Sequence, residues 1–141
     1  MKKRIALIGL GLIGGSLAKA LSYSPDYEIY GHDADMRTKV AALAEGAIQS
    51  DLIRGMRYDA VILSVKPSVV VELAKNLPFG ISADLLIDAS GVKSKLSHEL
   101  EELVEQGLFG EYLGIHTMAG REVSGYENSR ADLFKRASCI L

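Results

Sequence analysis

The chain has 141 residues, with 16 Lys and Arg against 18 Asp and Glu, so its formal charge is −2. A hydrophobic share of 48% excludes a disordered chain and suits one domain over residues 1–141, and the balanced charge argues against nucleic acid as a partner. One cysteine, Cys139, closes no internal disulfide and builds no thiolate metal site, which fits a cytoplasmic protein without a metal.

Met1-Lys2-Lys3-Arg4 precedes an uncharged stretch over 5–18, the layout of a secretory signal. Gly9, Gly11, Gly14 and Gly15 interrupt that stretch and weaken it as a signal helix. No other run approaches the ~18 apolar residues of a membrane span, so no membrane association is expected.

Residues 5–8 form a short apolar run, as expected of a strand buried on both faces. Ile13, Leu17, Ala20 and Leu21 then follow at helical spacing, and residues 23–26, with Pro25, read as a loop. Residues 27–32 read as a second strand. Met36, Val40, Leu43 and Ala44 predict the apolar face of a second helix that Gly46 stops, and Asp35 suits its positive end. Ala-Val-Ile-Leu-Ser-Val at 60–65 reads as a central strand, and Pro67 suits the first turn of a helix faced by Val70, Leu73, Ala74 and Leu77. Residues 85–88 read as a strand. Leu96, Leu100, Leu103 and Val104 mark a helix closed by Gly107. Residues 112–115 read as a strand, and 138–141 as the start of another. This alternation predicts an α/β fold of Rossmann type: a doubly wound, mostly parallel sheet with helices on both faces. Ligands bind such sheets at the carboxyl ends of the strands.

Gly9-Leu10-Gly11-Leu12-Ile13-Gly14 is a G-x-G-x-x-G between a predicted strand and a predicted helix. Gly9 permits the tight turn, Gly11 lets a pyrophosphate approach the backbone, and Gly14 lets helix and strand pack closely. The free N–H groups of the helix start receive the phosphates. Asp33, 19 residues past Gly14, ends the second strand, where a carboxylate accepts hydrogen bonds from ribose hydroxyls. The expected cofactor-binding set is Gly9, Gly11, Leu12, Ile13, Gly14 and Asp33, with Ser64, Val65 and Lys66 from the next strand end. Asp33 repels a 2′-phosphate, so NAD is expected over NADP; Arg37 is the opposing signal. Of three histidines, His32 and His98 read as surface residues, and only His116 stands at the ligand-facing end of a predicted strand.

Three segments carry a family resemblance. Gly-Leu-Gly-Leu-Ile-Gly-Gly-Ser-Leu at 9–17 resembles the opening of prephenate dehydrogenases. Asp-Ala-Ser-Gly-Val-Lys at 88–93 resembles their Asp-x-(Gly/Ala)-Ser-Val-Lys loop. His-Thr-Met-Ala-Gly-Arg-Glu-Val-Ser-Gly at 116–125 resembles their His-Pro-Met-Ala-Gly-x-Glu-x-Ser-Gly segment, which a generic nucleotide-binding domain does not carry. The resemblance implies a small-molecule substrate, prephenate or its amino analogue arogenate, oxidised and decarboxylated in tyrosine biosynthesis with NAD. It implies His116 as the catalytic residue that takes the substrate's hydroxyl proton, which a neutral imidazole can do near neutral pH. It implies Glu122 and Ser124 near the substrate, with Arg121 as the adjacent cation.

Thr117 departs from the family's proline. Ser90-Gly91 departs from its loop order, so Gly91 falls where the resemblance puts a serine near nicotinamide and substrate, and Ser90, one position earlier, is carried over as the second catalytic residue. The family's subunit also has a C-terminal helical domain that dimerises and clamps the substrate carboxylates. That domain is absent from this chain, so the fragment alone is expected to be inactive and the full-length subunit a homodimer. Two other readings remain open. Val65-Lys66-Pro67 is similar to pyrroline-carboxylate reductases, and a non-catalytic NAD(P)-binding regulatory module would keep residues 9–14 and Asp33 while needing nothing at 116–125.

Overall fold

A computed structural model describes residues 1–90, 94–117, 124–134 and 139–140, with side chains outside the description at 94–95, 116–117 and 139–140. Strands β1 (Lys3–Ile8), β2 (Tyr27–His32), β3 (Arg57–Leu63), β4 (Ser82–Asp88) and β5 (Glu111–Gly114) form one sheet in the order β2-β1-β3-β4-β5. All four pairings are parallel. Helices α1 (Leu12–Ser22), α2 (Met36–Ala44), α3 (Pro67–Lys75) and α4 (Ser94–Glu105) alternate with the strands.

Successive strand residues point to opposite faces, and both faces of this sheet are apolar. Ile5, Leu7, Ile29, Ala60 and Ile62 pack with Ala18 of α1 and Ala42 of α2. Ala6, Ile8, Val61, Leu63 and Leu86 pack with Val70 and Ala74 of α3 and Leu100 and Leu103 of α4. The sheet is therefore doubly wound. The chain leaves β1 toward β2 on one side and returns to β3 on the other, so the order reverses beside β1.

Beyond β2, Gly31 N–H bonds the Ser50 carbonyl at 3.0 Å and Gln49 N–H bonds the Ile29 carbonyl at 2.8 Å. Ser50 thus makes an isolated parallel bridge to Tyr30. It stands where the outermost strand of the six-stranded dinucleotide-binding order lies, shortened here to a single bridge.

Two expectations need correction. Met36, Val40, Leu43 and Ala44 of α2 face solvent; the helix meets the sheet through Ala42, helped by Ala41. Small residues let a helix sit close to the sheet edge, and 100° per residue places 36, 40 and 43 on the far side from Ala42. Second, Cys139–Ile140 (β7) does not extend the parallel sheet. It pairs antiparallel with His116–Thr117 (β6) in a separate ribbon.

Candidate functional site

The carboxyl ends of the strands lie at one level. Ile8 pairs with both His32 and Leu63, Leu63 with Asp88, and Asp88 with Gly114. Main-chain bonds continue past these pairs: Gly9 N–H to the His32 carbonyl, Ser64 N–H to Ile8, Ala89 N–H to Leu63 and Ile115 N–H to Asp88, all at 2.8–2.9 Å. The loops after β1, β3, β4 and β5 are thus fixed at their first residues.

The three glycines of the motif answer three different constraints. Gly9 has φ +97°, and a Cβ there would sit 2.1 Å from the Ser64 carbonyl oxygen, so the turn needs glycine twice over. A Cβ on Gly14 would lie 1.8 Å from the Gly9 carbonyl oxygen, which is the close helix–strand approach expected of the third glycine. A Cβ on Gly11 would meet nothing within 4 Å. Gly11 therefore fills no packing requirement of the described chain; it leaves open space at the start of α1. No side chain caps that helix, and its first turn holds no acid. Its first intrahelical bond runs from Gly15 N–H to the Gly11 carbonyl. The N–H groups of Leu12, Ile13 and Gly14 precede that bond, and with the positive end of the helix they fit an anionic phosphate.

Asp33 closes the site on the β2 side. Its Oδ2 accepts from Leu10 N–H at 2.8 Å and its Oδ1 from Asp35 N–H at 2.9 Å, so the carboxylate is tied both to the glycine loop and to the start of α2. Asp35 caps α2 by accepting from Arg37 N–H at 3.0 Å. On the other flank Ser64 and Val65 press on Gly9, with Val65 Cγ1 3.1 Å from the position of its missing Cβ. Lys66, exposed, caps α3 ahead of Pro67. The structure thus brings together Gly9, Gly11, Leu12, Ile13, Gly14, Asp33, Ser64 and Val65, with Lys66 at the rim.

Ser90 and His116 stand farther along the sheet. Ser90 N–H bonds Oδ1 of the fully buried Asp88 at 2.8 Å, and Ser90 Oγ is buried without a hydrogen-bond partner among the described residues. His116 opens β6 directly after Ile115, whose N–H holds the Asp88 carbonyl. The His116 side chain lies outside the described residues, as do Gly91, Lys93, Arg121 and Glu122. Ser124 is exposed, and its carbonyl accepts from Asn128 Nδ2 at 2.7 Å.

Two groups of contacts were not foreseen. The segment after Ser124 docks on α1: Arg130 N–H bonds the buried Ser16 Oγ at 2.9 Å, and Lys19 Nζ bonds the Ser129 carbonyl at 2.9 Å while lying 4.5 Å from the Tyr126 ring centroid. A Cβ on Gly15 would approach Tyr126 Cδ1 to 2.7 Å. Gly15-Ser16, small residues with no part in the phosphate motif, were the available signal. Burial, and then the nearby Glu45 carboxylate, push the Tyr126 phenol well above its usual range. The other group corrects the reading of His32 as a surface residue. Its Nδ1 lies 3.0 Å from Asp51 Oδ1, Lys39 Nζ lies 2.6 Å from Asp51 Oδ2, and the His32 ring meets Phe79 edge-on. Burial raises the Asp51 carboxyl, but hydrogen bonds from Lys39, Leu52 N–H and His32 outweigh it and hold the group below the ordinary carboxylate value. His98 is exposed beside Glu102, as expected.

Among the described residues, no helix is long and apolar enough to cross a membrane, and no cluster of metal-binding side chains occurs.

Comparison with known proteins supplies the remaining evidence. The family model described as "Prephenate dehydrogenase, nucleotide-binding domain" matches residues 17–141. The prephenate dehydrogenase of Lactococcus lactis is 37% identical over 145 residues, covering 99% of this chain and 40% of that protein. That of Bacillus subtilis is 34% identical over 148 residues, covering 100% of this chain and 39% of that protein. A crystal structure of prephenate dehydrogenase from A. aeolicus with hydroxyphenyl propionate and NAD+ superposes with a TM-score of 0.82 at 29% identity, over 99% of this chain and 50% of that one. The chain thus spans half or less of the length of these relatives. With the family model matching most of the chain and the sheet order of a dinucleotide-binding fold in place, the chain belongs to the prephenate dehydrogenase nucleotide-binding-domain family.

Proposed function

We propose that this chain is the NAD-binding part of an enzyme that oxidatively decarboxylates prephenate. The observation that carries the reading is the open, uncapped start of α1 in front of Gly11, with the fixed Asp33 carboxylate beside it. The N–H groups of Leu12, Ile13 and Gly14 hold the pyrophosphate. Asp33 accepts from the adenosine ribose hydroxyls through lone pairs its two backbone bonds leave free, and Ser64, Val65 and Lys66 line the next strand end. A 2′-phosphate beside Asp33 brings two anions together, so NAD is favoured over NADP.

When bound at residues 9–14 and Asp33, NAD would supply a hydride acceptor for the hydroxyl-bearing ring carbon. This chain supplies the groups around that event. As the carbon gains carbonyl character its hydroxyl proton becomes acidic, and His116 takes it. Loss of carbon dioxide then leaves an aromatic ring. Ser90, whose buried hydroxyl has no hydrogen-bond partner among the described residues, offers a hydrogen bond at the β4 end, and Arg121, Glu122 and Ser124 serve the substrate. We place the full-length protein in the cytoplasm as a homodimer whose second domain completes the substrate site.

Calorimetric titration of the 141-residue chain tests the reading. NAD binds more tightly than NADP if Asp33 acts as described. Tighter NADP binding transfers the role to Arg37, and no binding of either removes the assignment.

A further inference from the structure

The charges around Asp33 do more than repel a phosphate. Two basic residues flank it along the chain: Lys39 is one turn into α2, its main-chain N–H bonded to the Asp35 carbonyl at 3.2 Å, and His32 directly precedes Asp33. A basic side chain at that strand end is what a 2′-phosphate requires. Neither side chain is free to turn toward a phosphate. Asp51, just past the Ser50 bridge, takes Lys39 on one carboxylate oxygen and His32 on the other, and Leu52 N–H fixes the first-named acceptor's partner oxygen, Oδ1, at 2.7 Å. The Lys39 side chain is only 14% exposed. Arg54 lies over the Phe79 ring, 5.7 Å from its centroid, while Arg37 is exposed and meets Asp35 through its main-chain N–H. The geometry points to Asp51 as a determinant of dinucleotide choice: by sequestering Lys39 it withholds that one charge from the strand end and sharpens the preference for the cofactor without a 2′-phosphate. This rests on the NAD-binding reading above.

The test uses Asp51→Asn, Lys39→Met and the double variant, with calorimetric Kd values for NAD and NADP and a melting temperature for each. Asparagine keeps an oxygen for Leu52 N–H but loses the charge that holds Lys39. Asp51→Asn is expected to leave NAD binding within about two-fold and to tighten NADP about five-fold, the scale of one partly exposed charge contact. Lys39→Met alone leaves NADP unchanged, because Lys39 is already occupied, and in the double variant the gain disappears. Three results overturn the inference: no gain for NADP in folded Asp51→Asn, a gain that survives Lys39→Met, or weakened NADP binding in Lys39→Met alone. Failure of the wild-type chain to bind NAD instead overturns the dinucleotide reading, and this inference with it.

Discussion

Gly11 and Gly14 stand three residues apart and obey opposite rules. Gly14→Ala drives a methyl group into the Gly9 carbonyl, so the turn or the helix must move. We expect a loss of stability on the scale of overpacking, about 1–3 kcal/mol, read as a lowered melting temperature. Gly11→Ala meets no protein atom within 4 Å and keeps an ordinary φ of −77°, so stability should change by less than about 1 kcal/mol while NAD affinity falls sharply. Equal affinity in Gly11→Ala would place the pyrophosphate elsewhere. These roles were legible in the sequence because backbone geometry alone dictates them. The pairing of His32 with Asp51 was not, since a contact 19 residues apart depends on how the Ser50 bridge brings the chain back along β2.

The Asp51 contact also predicts a pH effect. A carboxyl held below its unfolded value stabilises the fold above that value, about 3.9, and the stabilisation is lost as pH falls through the folded value. Asp51→Asn should therefore flatten the acid limb of stability below about pH 4, measured by urea unfolding across pH; an unchanged limb contradicts the contact.

Among the elements, α2 separates periodicity from burial. Its i, i+4, i+7 apolar set satisfies the helical pattern, and the helix forms over the residues expected, yet the set faces water. Periodicity identifies a helix without saying which stripe meets the sheet; here small Ala42 wins because the close approach admits nothing larger. Val40→Lys should change stability by no more than about 0.5 kcal/mol, whereas Ala42→Leu should lose about 1–3 kcal/mol by overpacking, both read by chemical denaturation. Strands β1, β3 and β4 were legible because they hold continuous apolar runs, although β3 and β4 begin three residues earlier than those runs, while β2 carries Glu28 and His32 and stood out by its β-forming Tyr27, Ile29 and Tyr30. The β6–β7 ribbon was not legible as antiparallel, because two-residue strands carry no period.

At the scale of the molecule, the glycine turn, Asp33 and Ser90 lie at the carboxyl ends of one five-stranded sheet, and His116 opens the separate β6–β7 ribbon just past β5. Under the proposed function, His116→Asn in a prephenate-oxidising protein that contains this chain should keep NAD affinity and melting temperature while kcat falls roughly 10²–10⁴-fold and the rising limb of its pH profile vanishes. Near-normal kcat with an unchanged profile removes His116 from the mechanism. The central claim is that the reversal beside β1 is the dinucleotide site. Its most direct test is a titration of the isotopically labelled chain with NAD, following backbone amide resonances. The account predicts saturable shifts concentrated at residues 9–15, at Asp33 and at 64–66. Shifts confined to the opposite end of the sheet, around the ~480 Å³ cavity lined by Lys2, Arg4, Arg57 and Asp84, would contradict it.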